Sequence, residues 1–480
     1  MRKDSKMADR IETRLLIGGR WLESEKQMPV LNPYTGGEVA RVEVAGAGHV
    51  EQAVRAAGVS RMSMLTAARR YEILRSTADA IQGEAEGLTR LLVAETGKPW
   101  CYAAGEVART VQTFSFAADE ARRLRGRTME LDAHPQGVGH WGFYHRFPLG
   151  VIAAVTPFNF PLNLVAHKVA PALAAGNSVV LKPASATPLV ALRLARILEQ
   201  AGLPEGGINV LVGSGSTIGQ ALVTSEQVRM VTFTGSLEVG RNIRRDAGMK
   251  RVTLELGSNS ALVIEDEARL EEAVSRCVVG AFAFSGQVCI SIQRILLNES
   301  LAGRFLEQFI PLVEQIERGD PMEEATQIGP MIEEAEARRI ESWIEAAVRG
   351  GARVLTGGKR EGAFFQPTVL DQVKPDMDIY CKEAFGPVVC IETYRDYEDA
   401  LDRVNSSVYG LQAGVYTESL EKAMTAFMRL EVGGVNINDY PTFRVDQMPY
   451  GGVKGSGTGR EGPAFAIEEM TELKLCTIRL

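Results

Sequence analysis

From residue 150 onward, short and wholly apolar runs alternate with amphipathic stretches. The runs at 150–155, 177–181, 208–212, 230–233 and 252–256 have the length of strands, and 162–175, 189–201, 217–223 and 237–246 have helical spacing. A strand that is apolar on both faces must be covered on both, which only a parallel sheet between helices provides. The pattern therefore predicts an α/β fold with a doubly wound sheet of the nucleotide-binding kind. Ligands of such sheets bind at the carboxyl ends of the strands. Before this unit, 50–121 is rich in Ala, Leu, Glu and Arg at helical spacing. After it, helices at 270–279, 301–316 and 333–348 and strands at 294–297 and 388–392 predict a second α/β unit. The segments 129–147 and 473–480 read as strands without helical partners, of the sort that pair between subunits.

Bulk properties exclude several classes of function. A chain of 480 residues is too long for one small core and predicts two or three domains. The net charge of −7 argues against nucleic acid as a partner. Six cysteines without CxxC spacing argue against a disulfide framework or structural zinc and suit a reducing, cytoplasmic compartment. Residues 1–10 are charged and carry no apolar signal core. The most apolar long stretch, 149–166, holds Pro157, Asn159, Pro161 and Asn163, so it reads as strand, loop and helix start rather than as a membrane span.

Cys289 stands out among the cysteines. It lies in the run Phe-Ser-Gly-Gln-Val-Cys-Ile-Ser at 284–291, whereas Cys277 and Cys390 sit in core-like patterns. A thiol needs an activating partner. The chain has five histidines, none after residue 167, so a Cys–His dyad is not indicated. Glu255, which ends the run Arg-Val-Thr-Leu-Glu-Leu-Gly at 251–257, is the candidate base. Asn159, at the end of the first strand, is placed to donate to an oxyanion, or alternatively to cap the following helix. Gly215 and Gly219 follow the third strand, and Phe233, Gly235 and Ser236 close the fourth; such turns suit a pyrophosphate, although neither is a full GxGxxG. Lys182 ends the second strand, where it would reach a ribose or phosphate or simply be solvated. Glu383 is a candidate ribose ligand or an exposed loop acid. No His/Cys spacing suggests a metal site.

Taken in order, these pieces resemble the aldehyde dehydrogenase superfamily. The matching runs are Pro-Phe-Asn at 157–159, Leu-Lys-Pro at 181–183, Phe-Thr-Gly-Ser at 233–236, Leu-Glu-Leu-Gly at 254–257, Gly-Gln-Val-Cys at 286–289, Glu-Ala-Phe-Gly-Pro at 383–387 and Pro-Tyr-Gly-Gly-Val-Lys-Gly-Ser-Gly at 449–457. The resemblance covers the chain from about residue 17 to its end. It implies a dinucleotide-binding domain (12–126 and 148–257), a catalytic domain (258–456) and a small β oligomerisation arm (127–147 and 471–480), assembled as a homodimer or homotetramer. It also implies Cys289 as nucleophile, Asn159 with the Cys289 N–H as oxyanion hole, and Glu255 as general base. Lys182, Gly235, Ser236, Glu383 and Phe385 would hold NAD or NADP, with Thr156, Phe233 and Leu256 beside them.

Two departures carry specific expectations. Ser185 stands where NAD-preferring relatives often carry a glutamate, so NADP should be accepted and is the expected preference. The run Gly-Ser-Asn at 257–259, with 287–291 and 443–446, resembles the branch of lactaldehyde, succinic-semialdehyde and phosphonoacetaldehyde dehydrogenases. Arg109 and Arg294 are the candidate ligands for an anionic substrate tail, with a surface ion pair as the alternative for Arg109. The rival functions are cysteine-dependent acyl transfer or hydrolysis without redox, and a catalytically idle binding protein on the same fold.

Overall fold

The computed structural model describes residues 11–480; the segment 1–10, read above as lacking a signal, lies outside the described residues. The alternating runs form the middle of an eight-stranded sheet. Its spatial order is Arg20–Leu22, Leu15–Ile17, Ile208–Val210, Ser178–Lys182, Val151–Val155, Val228–Thr234, Arg251–Glu255 and Gly457–Thr458. The central five strands are parallel and the flanking ones antiparallel. Val151–Val155 and Ser178–Lys182 are buried at every position, as two-sided cover requires. One covering helix, Asn163–Ala174, is buried along its whole length.

The order of these strands fixes where a ligand can enter. Of the five parallel strands Val151–Val155 comes first in the chain and lies centrally; the next two stack on one side and the last two on the other. The chain thus reverses direction between Val151–Val155 and Val228–Thr234, leaving a crevice beyond their carboxyl ends. Register aligns Val155 with Lys182 and with Phe233, and Thr234 with Glu255. The residues suspected of chemistry therefore share one edge of the sheet.

A seven-stranded sheet follows, in the order Arg353–Thr356, Thr368–Asp371, Val388–Tyr394, Arg294–Asn298, Ala261–Ile264, Gln412–Tyr416 and Gly434–Ile437. All but the first are parallel. Several of these strands span only four or five residues, too few for periodicity alone to separate from their surroundings. A third, three-stranded sheet pairs Thr471–Arg479 with His140–Pro148 along its whole length, with Arg127–Met129 on the far side. Beyond Thr471 every side chain of its last strand is exposed. The segment expected as one strand over 129–147 is broken by two short turns, one starting at Pro135, which has no N–H to donate. The helix expected at 217–223 begins earlier, as a wide π turn, Gly215–Gly219, running into Gln220–Thr224. Ser214 accepts the Thr217 N–H at 3.2 Å and draws the start forward. No helix among the described residues is long and apolar enough to cross a membrane.

Candidate active site

Cys289 is delivered by a loop held in an uncommon backbone conformation. Phe284, Ser285 and Gly286 all have positive φ (49°, 54° and 68°). Two consecutive non-glycine residues there cost of order 1–3 kcal/mol each, and such strain persists only where surroundings over-determine it. They do so here. The Ser285 hydroxyl donates to Gly329 O at 2.7 Å, Gln287 Oε1 accepts the Ile332 N–H at 2.9 Å, and a Cβ at Gly286 would strike Gly386 O. Asn159 Nδ2 donates to Gln287 O at 2.9 Å, so the strand-end amide and the cysteine loop meet as expected. The Asn159 oxygen is buried without a partner.

The half-buried Cys289 thiol finds Tyr450, whose Oη lies 2.9 Å from Sγ. Burial pushes the thiol up to about 11, against the Tyr450 hydrogen bond and the positive charge of Arg444. Tyr450 is itself raised by burial and stays protonated, ready to donate to a thiolate. The Arg444 guanidinium lies 3.6 Å over the Tyr450 ring. Its Nη2 donates to Glu461 Oε2 at 3.0 Å and lies 3.1 Å from His167 Nε2, while its buried Nε has no partner.

Glu255 is 3% exposed, and neither carboxyl oxygen has a hydrogen-bond partner. Burial, and then the charge of Glu461, raise its pKa well above the carboxylate range, only partly opposed by Lys168, Arg444 and Arg460. Glu461 behaves oppositely. Burial alone would raise it, but Lys168, Arg444 and His167 hold it down to about 2. Its Oε1 accepts from Lys168 Nζ at 3.0 Å. Glu255 makes no hydrogen bond with Cys289; the two approach through the Tyr450–Gly451 turn. A Cβ at Gly451 would lie 2.9 Å from Glu255 Oε1 and 2.7 Å from Gly459 O, so glycine lets the turn close over the carboxyl.

The expected dinucleotide residues line the same edge. Lys182 is buried rather than solvated; desolvation lowers it to about 8, and its Nζ donates to Pro183 O. Thr156 is buried with an unpartnered hydroxyl. The Ser185 hydroxyl donates to Gly213 O at 2.8 Å. Ser236 caps the helix Leu237–Asp246, whose Gly240 packs against Leu256, and the Phe233 ring lies under Gly235. Gly215 and Gly219 lie in the π turn after Gly213. Glu383 is half-buried rather than an exposed loop acid. Burial raises it to about 7, although its Oε1 accepts the Ser258 N–H. Phe385 has φ +47° and meets Phe158 edge-on at 5.8 Å. An unpartnered hydroxyl, a buried lysine and a half-buried carboxyl around a sheet crevice fit a dinucleotide's phosphates and riboses.

The two candidate anion ligands separate. Arg294 does not face this site: it is 2% exposed, and its guanidinium donates to the carbonyls of Asn259, Arg403 and Val404. A cation there caps the end of the helix Tyr397–Asn405. Arg109, one-third exposed, is held in a fork by Asp446 at 2.7 and 3.1 Å. Asp446 also accepts from Asn163 and from His167 Nε2, the atom that lies 3.1 Å from Arg444 Nη2. Tyr450, Arg444, Lys168 and Glu461 were not singled out in the sequence; only the glycine-rich run at 449–457 and the Phe-Arg-Val-Asp run at 443–446 pointed to their neighbourhood. Among the described residues no group of three potential metal ligands converges.

A cysteine on a strained loop beside a dinucleotide crevice defines a cysteine-dependent nicotinamide oxidoreductase. The sequence profile of the aldehyde dehydrogenase family matches residues 21–476, and the chain belongs to that family. It is 45% identical over 466 residues to 3-sulfolactaldehyde dehydrogenase of Priestia aryabhattai, covering 97% of this chain and 98% of that one. The crystal structure of aldehyde dehydrogenase 21 from Physcomitrella patens, in complex with the reaction product succinate, superposes with a TM-score of 0.95 at 39% identity, covering 97% and 98% of the two chains. That of glyceraldehyde-3-phosphate dehydrogenase from Methanocaldococcus jannaschii, complexed with NADP, gives 0.91 at 38% identity, covering 95% and 100%. The protein is an enzyme that oxidises aldehydes with NAD or NADP.

Proposed function

We propose that the substrate is a small aldehyde with an anionic tail, oxidised to its carboxylic acid. One observation carries this reading: Arg444 is a buried cation, stacked on the tyrosine that touches Cys289, with an N–H left unpartnered. A buried donor without an acceptor is costly, and a carboxylate, sulfonate or phosphate on the substrate would satisfy it. Arg109, held by Asp446, would supply a second, more exposed cation. The relatives named for sulfolactaldehyde and for a succinate complex act on, or bind, anions of this class.

The steps follow from the side chains. The Cys289 thiolate attacks the aldehyde carbon, and the carbonyl oxygen becomes an oxyanion. Asn159 Nδ2, turning from Gln287 O, and the Cys289 N–H donate to it. One such donor is worth about 3–4 kcal/mol. A nicotinamide held in the crevice would supply the acceptor for the hydride that must leave this carbon. Glu255, once deprotonated, takes a proton from the water that attacks the resulting thioester, freeing the acid and Cys289. Lys168 and Glu461 set the proton affinity of Glu255 by their charges.

Lys182, Thr156, Ser236, Glu383 and Phe385 would hold the dinucleotide. Ser185 places no negative charge beside Lys182, and we expect NADP to be accepted and preferred. We assign 12–126 and 148–257 to cofactor binding, 258–456 to catalysis, and 127–147 with 471–480 to an oligomerisation arm. The exposed apolar side chains Leu473, Leu475 and Ile478 on that arm suit cover by a second copy, giving a homodimer or homotetramer. Six free cysteines suit the cytoplasm. Steady-state assays with succinic semialdehyde and butanal, each with NAD and NADP, test the reading. Equal kcat/KM for the two aldehydes would remove the anionic tail, and a preference for NAD of about tenfold or more would remove the cofactor expectation.

A further inference from the structure

Lys98 is a fully buried cation outside the groups used above. It follows Gly97, which ends the helix Ala85–Thr96 in a left-handed turn (φ 67°). Its ammonium pairs with the Glu106 carboxylate and sits in the corner formed by two aromatic rings, 3.9 Å from the centroid of Phe160 and 4.6 Å from that of Phe284, which meet each other edge-on at 6.4 Å. These rings belong to the two halves of the reacting site. Phe160 follows Asn159, and Phe284 opens the left-handed run before Cys289. The other Glu106 oxygen accepts the N–H groups of Leu162 and Asn163 at 2.9 and 3.1 Å, anchoring the chain just after Asn159. The same turn also touches the segment that holds Ser285. Trp100 N–H donates to Pro321 O, and Gly97 packs on Pro330, beside the Gly329 carbonyl that receives the Ser285 hydroxyl.

A bare ammonium in such a position is expensive. Burial lowers its affinity for the proton, and the Glu106 carboxylate opposes that loss. The two rings add cation–π attraction, which is strongest when the cation is desolvated. A hydrocarbon side chain would fill the same space without that penalty. What it would not do is hold both rings against one fixed point charge and so keep their edge-on contact in register.

We propose that Lys98 is a positioning residue that clamps Phe160 to Phe284 and so fixes the separation of the two oxyanion donors, Asn159 Nδ2 and the Cys289 N–H. This rests on the oxyanion role proposed above. It acts on the oxyanion step alone, with no direct contact to substrate or cofactor.

The test is a double-mutant cycle on kcat, with succinic semialdehyde and saturating NADP. Phe284→Leu removes one ring and leaves the Lys98–Glu106 pair intact; Lys98→Met removes the charge and Lys98→Arg retains it. Asn159→Ala alone should slow kcat by about 10²–10³-fold. Phe284→Leu and Lys98→Met should each slow it at least about tenfold, yet less than about threefold further in the Asn159→Ala background, because residues that act through one group are not additive. Lys98→Arg should recover most of the rate, with KM for NADP unchanged throughout. If Lys98→Met does not fold, Phe284→Leu decides. Losses that multiply with that of Asn159→Ala overturn the positioning role and leave the oxyanion reading standing. An Asn159→Ala enzyme of full rate overturns the oxyanion reading and this proposal with it.

Discussion

Replacing Arg444 by methionine gives the sharpest test of substrate class, because its separate contacts predict separate effects. Nη2 is committed to Glu461 at 3.0 Å and stands 3.1 Å from His167, and the guanidinium plane covers Tyr450. Loss of these contacts harms any aldehyde, since it disturbs Glu255 through Glu461 and Cys289 through Tyr450. The buried Nε is the donor left for a substrate anion. A hydrogen bond to a charged group is worth about 1.5–3 kcal/mol. That corresponds to roughly 10- to 150-fold in kcat/KM. The ratio of kcat/KM for succinic semialdehyde to that for butanal, read from NADPH formation, cancels the shared damage. It should fall by that factor in Arg444→Met. Arg109→Ala should lower the ratio less, because Arg109 is one-third exposed and already paired with Asp446 through Nε and Nη2. If both aldehydes decline equally in Arg444→Met, Arg444 serves only to hold Tyr450 and Glu461, and the anionic tail loses its support.

Glu255→Gln should release one burst of NADPH per active site and then stall as the thioester, visible as an added acyl mass on Cys289; steady turnover at the wild-type rate would show that another group activates the water. Because its pKa is raised, Glu255 is protonated at low pH, so deacylation should climb with pH until the carboxyl ionises. Glu461→Gln removes a neighbouring negative charge and should shift that rising limb of the kcat profile to lower pH, an unmoved or upward-shifted limb contradicting the coupling. Asp446 lies below its ordinary 3.8; burial alone would raise it, but hydrogen bonds from His167 and Arg109 outweigh this. A depressed carboxyl adds stability that is complete above the unfolded value and is lost as pH falls through the folded one. Asp446→Asn should therefore lower the thermal midpoint at neutral pH, by about 3–5 kcal/mol of stability, and flatten its decline below about pH 4; an unchanged slope in differential scanning fluorimetry would speak against it.

The parts of this site that were legible in the sequence are those that interrupt a local pattern. Asn159 and Lys182 are polar groups at the ends of apolar strands, and Cys289 sits in a run unlike a core, so each is marked by its own neighbours. Tyr450, Arg444, Lys168 and Glu461 carry no such mark. Tyr450 meets Cys289 across 161 residues, and Lys168 meets Glu461 across 293, so their roles exist only in the tertiary structure. Arg294 shows the reverse error. Its charge and its place after the cysteine loop suggested a ligand, but the Asn259 carbonyl, two carbonyls of the helix Tyr397–Asn405 and the Tyr380 hydroxyl take up its guanidinium. The central sheet was legible because strands buried on both faces are apolar throughout. The short strands of the second sheet lacked the length to show a period.

The protonated state of Cys289 also shapes how the enzyme ages. Burial raises its proton affinity, so the thiol form predominates at neutral pH. Peroxides and alkylating agents react with the thiolate rather than the thiol. The resting enzyme is therefore a slow target for oxidation to sulfenic acid, even with its sulfur open to a cleft that must admit electrophiles. Cys101, exposed on the surface, is the cysteine expected to be lost first under oxidative stress, and its loss should leave turnover intact.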